Sequence, residues 1–339
     1  MPNDPSETQL PITIDWTQVR VVVTGASGFL GRNVVNVLRT RGVPVRHIAT
    51  PSHHQYDLTQ PGAASAMLRE AFAHQHAKPD VVIHCAGFVG GLGANRNFPA
   101  RMFHDNMAMA LNLVEACRTD MLPLRNGRIV LVGSMVTYPA DAPVPFHEDT
   151  LWEGKPEQGS FPYAVAKLAS LELLRAYHTQ HGLPSAYVIP TNLYGPGDNF
   201  DPATSHAAAA IIERCVIAAH NNEPTITNWG SGKPTRQFLY IEDAAKGVVA
   251  AAERVTDQAP VPINLGTGQE TSLKDFVQCA CDAAGFTGDI QWDTTKPDGV
   301  ARRSLDRSRA KALLGWHAAT PLHEGVANTV AWYRENMLN

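Results

Sequence analysis

The chain has 339 residues, 44% of them hydrophobic and 18% charged, with a formal net charge of −4. That is the composition of an ordinary globular protein, long enough for two domains or one large one. No block of lysine and arginine offers a nucleic-acid footprint, and no apolar run approaches the roughly 20 residues that span a bilayer, so neither nucleic acid nor membrane is an expected partner. The polar, acidic start, Met-Pro-Asn-Asp-Pro-Ser-Glu-Thr, is unlike a signal peptide. The five cysteines are scattered and show neither a disulfide framework nor a zinc ligand set, and no H-E-x-x-H spacing occurs among the fourteen histidines. No metal is expected, and a reducing, cytoplasmic setting is.

Residues 1–18, with Pro2, Pro5 and Pro11 and little periodicity, read as a flexible tail. Val21 to Thr24 is a β-branched run that leads directly into Gly25-Ala-Ser-Gly28-Phe-Leu-Gly31, and helical residues continue to Gly42. Strand, glycine turn and helix in that order form a dinucleotide-binding context. The glycines let the backbone approach a pyrophosphate, and the helix N-terminus offers it free N–H groups. The spacing is G-x-x-G-x-x-G rather than G-x-G-x-x-G. Val43 to Ile48 should be the second strand. An acid near its end often binds a ribose 2′-hydroxyl, but Arg46-His-Ile-Ala-Thr-Pro-Ser-His53 contains none. That disfavours NAD mildly; no phosphate-binding arginine is obvious there either, so NADP(H) is favoured and NAD(H) stays open. Asp57 and Leu58 can reach the adenine edge or form a plain turn.

A helix is expected near 61–76, a buried strand from Asp80 to His84, and a glycine loop from Ala86 to Asn97 at the end of a strand where ligands bind. A long amphipathic helix over 100–119 precedes a strand from Arg128 to Val132, which delivers Ser134. Pro162 opens a helix bearing Tyr163 and Lys167, and Ser185 to Ile189 is a further strand. This alternation argues for an α/β fold with a doubly wound parallel sheet over 19–192. The pattern then becomes irregular: a helix near 206–220, a turn over 229–236, a short strand from Phe238, a helix near 242–253, a strand from Ile263, a turn at 296–299 and a last helix over 321–336. A smaller α/β substrate domain is expected from 193–236 and 267–339, with 237–266 returning to the sheet.

Tyr163 and Lys167 are four residues apart, so on a helix they lie on one face. A free tyrosine, with a pKa of roughly 10, transfers protons poorly at neutral pH. A nearby lysine charge should favour the phenolate and lower that pKa. Ser134 can hold a substrate oxygen against the phenol, giving a proton-transfer device for a carbonyl or an alcohol.

With these elements, five stretches resemble the extended short-chain dehydrogenases, and within them the epimerase/reductases of GDP-linked 4-keto-6-deoxy sugars. They are Val89-Gly-Gly-Leu-Gly-Ala-Asn95, Pro190-Thr-Asn-Leu-Tyr-Gly-Pro-Gly-Asp-Asn-Phe200, Trp229-Gly-Ser-Gly-Lys-Pro-Thr-Arg-Gln-Phe238, Asn264-Leu-Gly-Thr-Gly268 and Trp292-Asp-Thr-Thr-Lys-Pro-Asp-Gly299. The resemblance implies a Rossmann sheet, Tyr163 as proton donor, Lys167 as its partner on the nicotinamide ribose, and Ser134 as the hydroxyl that polarises the carbonyl. It gives His206 an acid-base role in epimerisation. It places the cofactor against Gly25, Ser27, Gly28, Phe29, Leu30, Gly31, His53, Asp57, Leu58, Ala86, Lys167, Pro190, Asn192, Leu193 and His206. The nucleotide-sugar falls to Asn192, Arg214, Trp229, Arg236 and Asp293; arginines suit a diphosphate and a tryptophan gives apolar contact. The resemblance also implies a homodimer.

Three positions depart from the pattern. Val136 stands where the family has a cysteine, Ser27 where it has an arginine in the glycine turn, and His53 near its second arginine. The expectation is a reductase of a GDP-linked keto sugar whose epimerase activity is weak or absent. The alternatives are a complete epimerase/reductase, a 4-epimerase or dehydratase with tightly bound NAD, and a catalytically silent sugar-nucleotide sensor.

Overall fold

The computed structural model describes residues 14–121, 127–201, 204–255 and 258–338. Strand β1 (Val21–Thr24) is buried throughout, as expected of a β-branched run in a sheet covered on both faces. Helix α1 (Phe29–Thr40) buries Val34, Val35, Val37 and Leu38. The second strand, expected over 43–48, shrinks to β2 (Ile48–Ala49) behind a 3-10 turn over Val45–His47. Pro44 opens that turn and has no N–H to give a ladder, and Val45 remains exposed. There follow α2 (Ala63–Glu70), β3 (Val81–His84), α3 (Leu92–Asn97), α4 (Pro99–Asp120), β4 (Arg128–Val132), α5 (Phe161–His181) and β5 (Ser185–Pro190). Helix α3 lies inside the stretch read as a glycine loop. Pro162 sits in the first turn of α5, where its missing N–H costs nothing, and Gly182 ends the helix in a left-handed conformation.

After β6 (Asn192–Tyr194) come α6 (Ala207–His220), β7 (Thr225–Trp229), β8 (Thr235–Arg236) and β9 (Phe238–Tyr240). The chain continues through α7 (Ile241–Glu253) and β10 (Pro262–Leu265), then β11 (Thr271–Ser272), α8 (Leu273–Ala284), β12 (Asp289–Asp293), β13 (Arg302–Arg303), α9 (Ser308–Leu314) and α10 (Leu322–Met337). The central sheet has the order β10-β5-β4-β3-β1-β2 and is parallel throughout. Strand order reverses between β1 and β3, so their carboxyl ends flank the crevice where such sheets bind ligands.

Three apolar clusters fill the interior. The first includes buried residues of α1 and α7, the second those of α2, α4 and α5, and the third those of α6, α8 and α10. Trp16 is buried in the first cluster and its indole donates a 2.7 Å hydrogen bond to Glu253, and Ile14 packs partly on the same cluster, while Asp15, Thr17 and Gln18 are exposed. Pro2, Pro5 and Pro11 lie outside the described residues. Leu305 joins the second cluster, and Ala310, Leu314 and Trp316 join the first, so this part of 267–339 packs with the sheet. Residues of α7 and β10, within 237–266, also pack there. Among the described residues, no helix is long and apolar enough to cross a membrane.

Candidate active site

The glycine turn closes tightly on the crevice. Gly25 has φ +69°, and a Cβ there would lie 2.6 Å from the backbone nitrogen of Ala86. A Cβ on Gly31 would lie 2.1 Å from the Gly25 carbonyl oxygen, so helix and turn meet only because both residues are glycine. Gly28 caps α1 with no side-chain hydrogen bond, which leaves first-turn N–H groups beside Phe29 and Leu30 for an anion. This cradle fits a dinucleotide pyrophosphate. Behind it, Thr24 Oγ1 and His84 Nδ1 are 2.7 Å apart, and burial holds the His84 pKa down to about 3, so the imidazole is neutral.

In the turn after β2, Asp57 Oδ1 accepts from the Thr59 backbone N–H at 3.0 Å and from its hydroxyl at 2.7 Å. These bonds lower the Asp57 pKa. The Leu58 carbonyl accepts from Asn112 on α4 at 2.8 Å, which ties this turn to the body. His53 is exposed, 3.8 Å from Asp57. Asp57 thus closes its own turn, as the plain-turn alternative describes.

Ser134 follows β4, and its side chain is near enough to that of Tyr163 on α5 to favour the phenolate. Lys167 is buried one turn further on, donates to the Val132 carbonyl at 3.0 Å, and lies 5.8 Å from the Tyr163 ring centroid. The expected lowering of the tyrosine pKa by the lysine is not what the protein alone provides. Desolvation raises Tyr163 to about 12, and the nearby Ser134 side chain opposes it only in part. Desolvation also pushes Lys167 down to about 8. The glycine stretch after β3 runs past this pair: a Cβ on Gly87 would lie 3.2 Å from Asn106 Oδ1 and 3.8 Å from Lys167 Nζ. Gly91 approaches the Ser205 carbonyl, next to His206 at the N-cap of α6. Desolvation lowers the His206 pKa.

From the carboxyl end of β5, buried Pro190 leads to β6, where Asn192 donates to the Gln237 carbonyl at 2.9 Å and Leu193 packs on the first core cluster. Arg214 on α6 donates to Asn228 Oδ1 at 2.7 Å, which fixes it against β7. Trp229 is 73% exposed, with Lys296 Nζ 5.7 Å from its ring centroid. Asp293 pairs with Trp229 across β12 and β7, but its carboxylate accepts from the backbone N–H and hydroxyl of Thr295 and is occupied in its own turn. Asp298, which the motif reading passed over, instead accepts from the Ser231 N–H and hydroxyl, both at 2.7 Å.

Arg236 belongs to a charge cluster that the sequence did not disclose. Arg303 on β13 pairs with Glu157, which lies six residues before Tyr163. Burial and the Arg303 charge lower the Arg236 pKa, while Glu157 raises it. Arg303 takes the carboxylate while Arg236 donates to the Thr235 carbonyl at 2.7 Å, so the cluster carries surplus positive charge. The tandem Arg302-Arg303 was the available signal, and alternation along β13 separates its two side chains. Arg302 pairs with Glu270 at 2.6 Å.

A glycine cradle at the reversal of a parallel sheet, beside a neighbouring serine and tyrosine and a buried lysine, defines an NAD(P)-dependent enzyme of the short-chain dehydrogenase type. Residues 21–266 match the NAD dependent epimerase/dehydratase family, and the chain belongs to it. It is 33% identical over 323 residues to a probable GDP-L-fucose synthase 1 of Oryza sativa subsp. japonica, covering 94% of this chain and 93% of that protein. It is equally 33% identical to the GDP-L-fucose synthase of Escherichia coli (strain K12), covering 94% and 97%. Its structure is similar to that of a GDP-L-fucose synthetase from Naegleria fowleri bound to NADP, with a TM-score of 0.82 at 27% identity and 98% coverage of both chains.

Proposed function

We propose that the protein is an NAD(P)H-dependent reductase of the C4 ketone of a GDP-linked 4-keto-6-deoxy sugar. The observation that carries this is Tyr163 set beside Ser134, with Lys167 buried next to both at the mouth of the glycine cradle. A nicotinamide bound there supplies hydride to C4. Ser134 orients the ketone, Tyr163 gives its proton to the C4 oxygen, and the Lys167 charge offsets the phenolate left behind. Lys167 also binds the nicotinamide ribose. Phe29, Leu30, Ala86, Pro190, Asn192 and Leu193 line the cofactor, and Ser27, His53, Asp57 and Leu58 its adenosine end. Arg236, joined by Arg303, grips the diphosphate; Arg214, Trp229 and Asn192 hold the rest of the nucleotide-sugar. Asp293 acts by shaping its turn. The names of the relatives support a GDP-sugar, and the NADP in the Naegleria fowleri structure supports NADP(H) over NAD(H).

Epimerisation is weak or absent in this reading, because Val136 cannot carry a proton and His206 then lacks an acid-base partner. The relatives' names favour a second reading, a complete epimerase/reductase. The test of the first is NADPH consumption with GDP-4-keto-6-deoxymannose. One NADPH oxidised per C4 alcohol formed supports it. Turnover without added NADPH, by protein purified with tight NAD, points to an epimerase or dehydratase.

A further inference from the structure

Arg214 is held by neutral atoms. Its Nη1 donates to Asn228 Oδ1 at 2.7 Å and to the Thr227 carbonyl at 3.2 Å; among the described residues its Nε and Nη2 make no hydrogen bond, and no carboxylate pairs with it. Glu213, its neighbour on α6, accepts instead from Tyr333 at 3.1 Å. Arg302, Arg303 and Arg309, by contrast, are each paired with a carboxylate. Arg214 is thus tied at one nitrogen, with the donors of its other two open and its charge uncancelled. That arrangement suits the oxygens of an anionic ligand.

The residue that ties it is unusual for its place. Strand β7 alternates, with Ile226 and Asn228 buried and Thr227 and Trp229 exposed. Asn228 is 3% exposed, and its Nδ2 is buried with no partner among the described residues. A buried donor left unpaired is destabilising, and an apolar side chain at this inward position would avoid that. Packing therefore does not account for the amide, whereas its oxygen does hold Arg214. An aspartate would hold the guanidinium equally well but cancel its charge; a leucine of similar size would not hold it. We infer that Asn228 is a positioning residue, which fixes Arg214 while leaving its full charge for the negatively charged nucleotide-sugar. The inference rests on the proposed GDP-sugar reading.

The experiment titrates GDP, the nucleotide part alone, into wild type and variants by calorimetry at low and physiological salt. Arg214→Ala should weaken binding roughly 10- to 100-fold, the worth of a charge-assisted hydrogen bond. Asn228→Leu should weaken it about 3- to 10-fold. It should have no further effect in the Arg214→Ala background, because it acts through that arginine. Asn228→Asp keeps the hydrogen bond, so its melting temperature should match or exceed that of wild type. Its GDP binding should nevertheless weaken and lose part of its salt dependence. Wild-type affinity in both Asn228 variants, or an equal loss from Asn228→Leu with and without Arg214, overturns the role. So does a melting temperature in Asn228→Asp that falls together with its affinity, which is what a purely structural residue would give. Wild-type protein that binds no GDP overturns the GDP-sugar reading itself.

Discussion

Lys167 gives its hydrogen bond to the Val132 carbonyl at 3.0 Å and keeps its ammonium 5.8 Å from the centre of the Tyr163 ring. It is thus braced against the strand that delivers Ser134, two residues further along. Burial raises the tyrosine to about 12 and lowers the lysine to about 8. Below about pH 8 the lysine is charged and can offset a phenolate formed in the transition state. Above it the charge is lost while Tyr163 keeps its proton. The kcat for reduction should therefore fall as pH rises through about 8. Lys167→Met should be slow at all pH values and show no such inflection. A profile in which wild type and variant share the inflection would remove Lys167 from this role.

Arg236→Ala should raise KM for the nucleotide-sugar roughly 10- to 100-fold, the worth of a charge-assisted hydrogen bond, with much less effect on kcat. A diphosphate contact persists from ground state to transition state, so its loss appears chiefly in KM. Arg303→Ala should act in the same direction. Steady-state kinetics with the GDP-sugar decides; an unchanged KM in both variants puts the diphosphate elsewhere.

A homodimer through α4 and α5 is also expected. On these helices Met109, Leu113, Leu171 and Leu174 are buried within the protomer. Met107 and Leu173 are half-buried, and Leu111 is exposed, as is Phe103 on the same helix. Light scattering at micromolar concentration should give twice the chain mass, and Leu111→Lys should shift it toward the monomer. A monomeric wild type ends the idea.

The sheet was legible because its signals are local: β-branched runs of four or five residues, glycines at fixed offsets, and proline opening a helix. The Tyr163/Lys167 spacing likewise fixed their shared face. The charge cluster was not legible, because Glu157 and Arg303 are 146 positions apart and meet only in the folded chain, where β13 also pairs with β8 and sets Arg303 beside Arg236. Nor was the direction of the tyrosine shift, since spacing reveals proximity but not desolvation. Trp16 lies in a stretch without periodicity, so its burial in the first core cluster could not be read from the sequence.

Loss of a positioned acid-base group costs about 10²–10⁴-fold, so Val136 should leave epimerisation slow. Hydrogens at C3 and C5 are acidified by the C4 ketone, and exchange at either reports on the base. In D₂O without NADPH, NMR of GDP-4-keto-6-deoxymannose should show little exchange at C3 or C5, and Val136→Cys should increase it. Rapid exchange at both carbons in the unaltered protein would establish the complete epimerase/reductase.

The most direct test of the central claim follows the hydride. With NADPH deuterated on the transferring face, the product should carry deuterium at C4 of the sugar. Tyr163→Phe should form it about 10²–10⁴-fold more slowly while binding NADPH nearly as well. Deuterium absent from C4, or Tyr163→Phe turning over at the wild-type rate, would contradict the account.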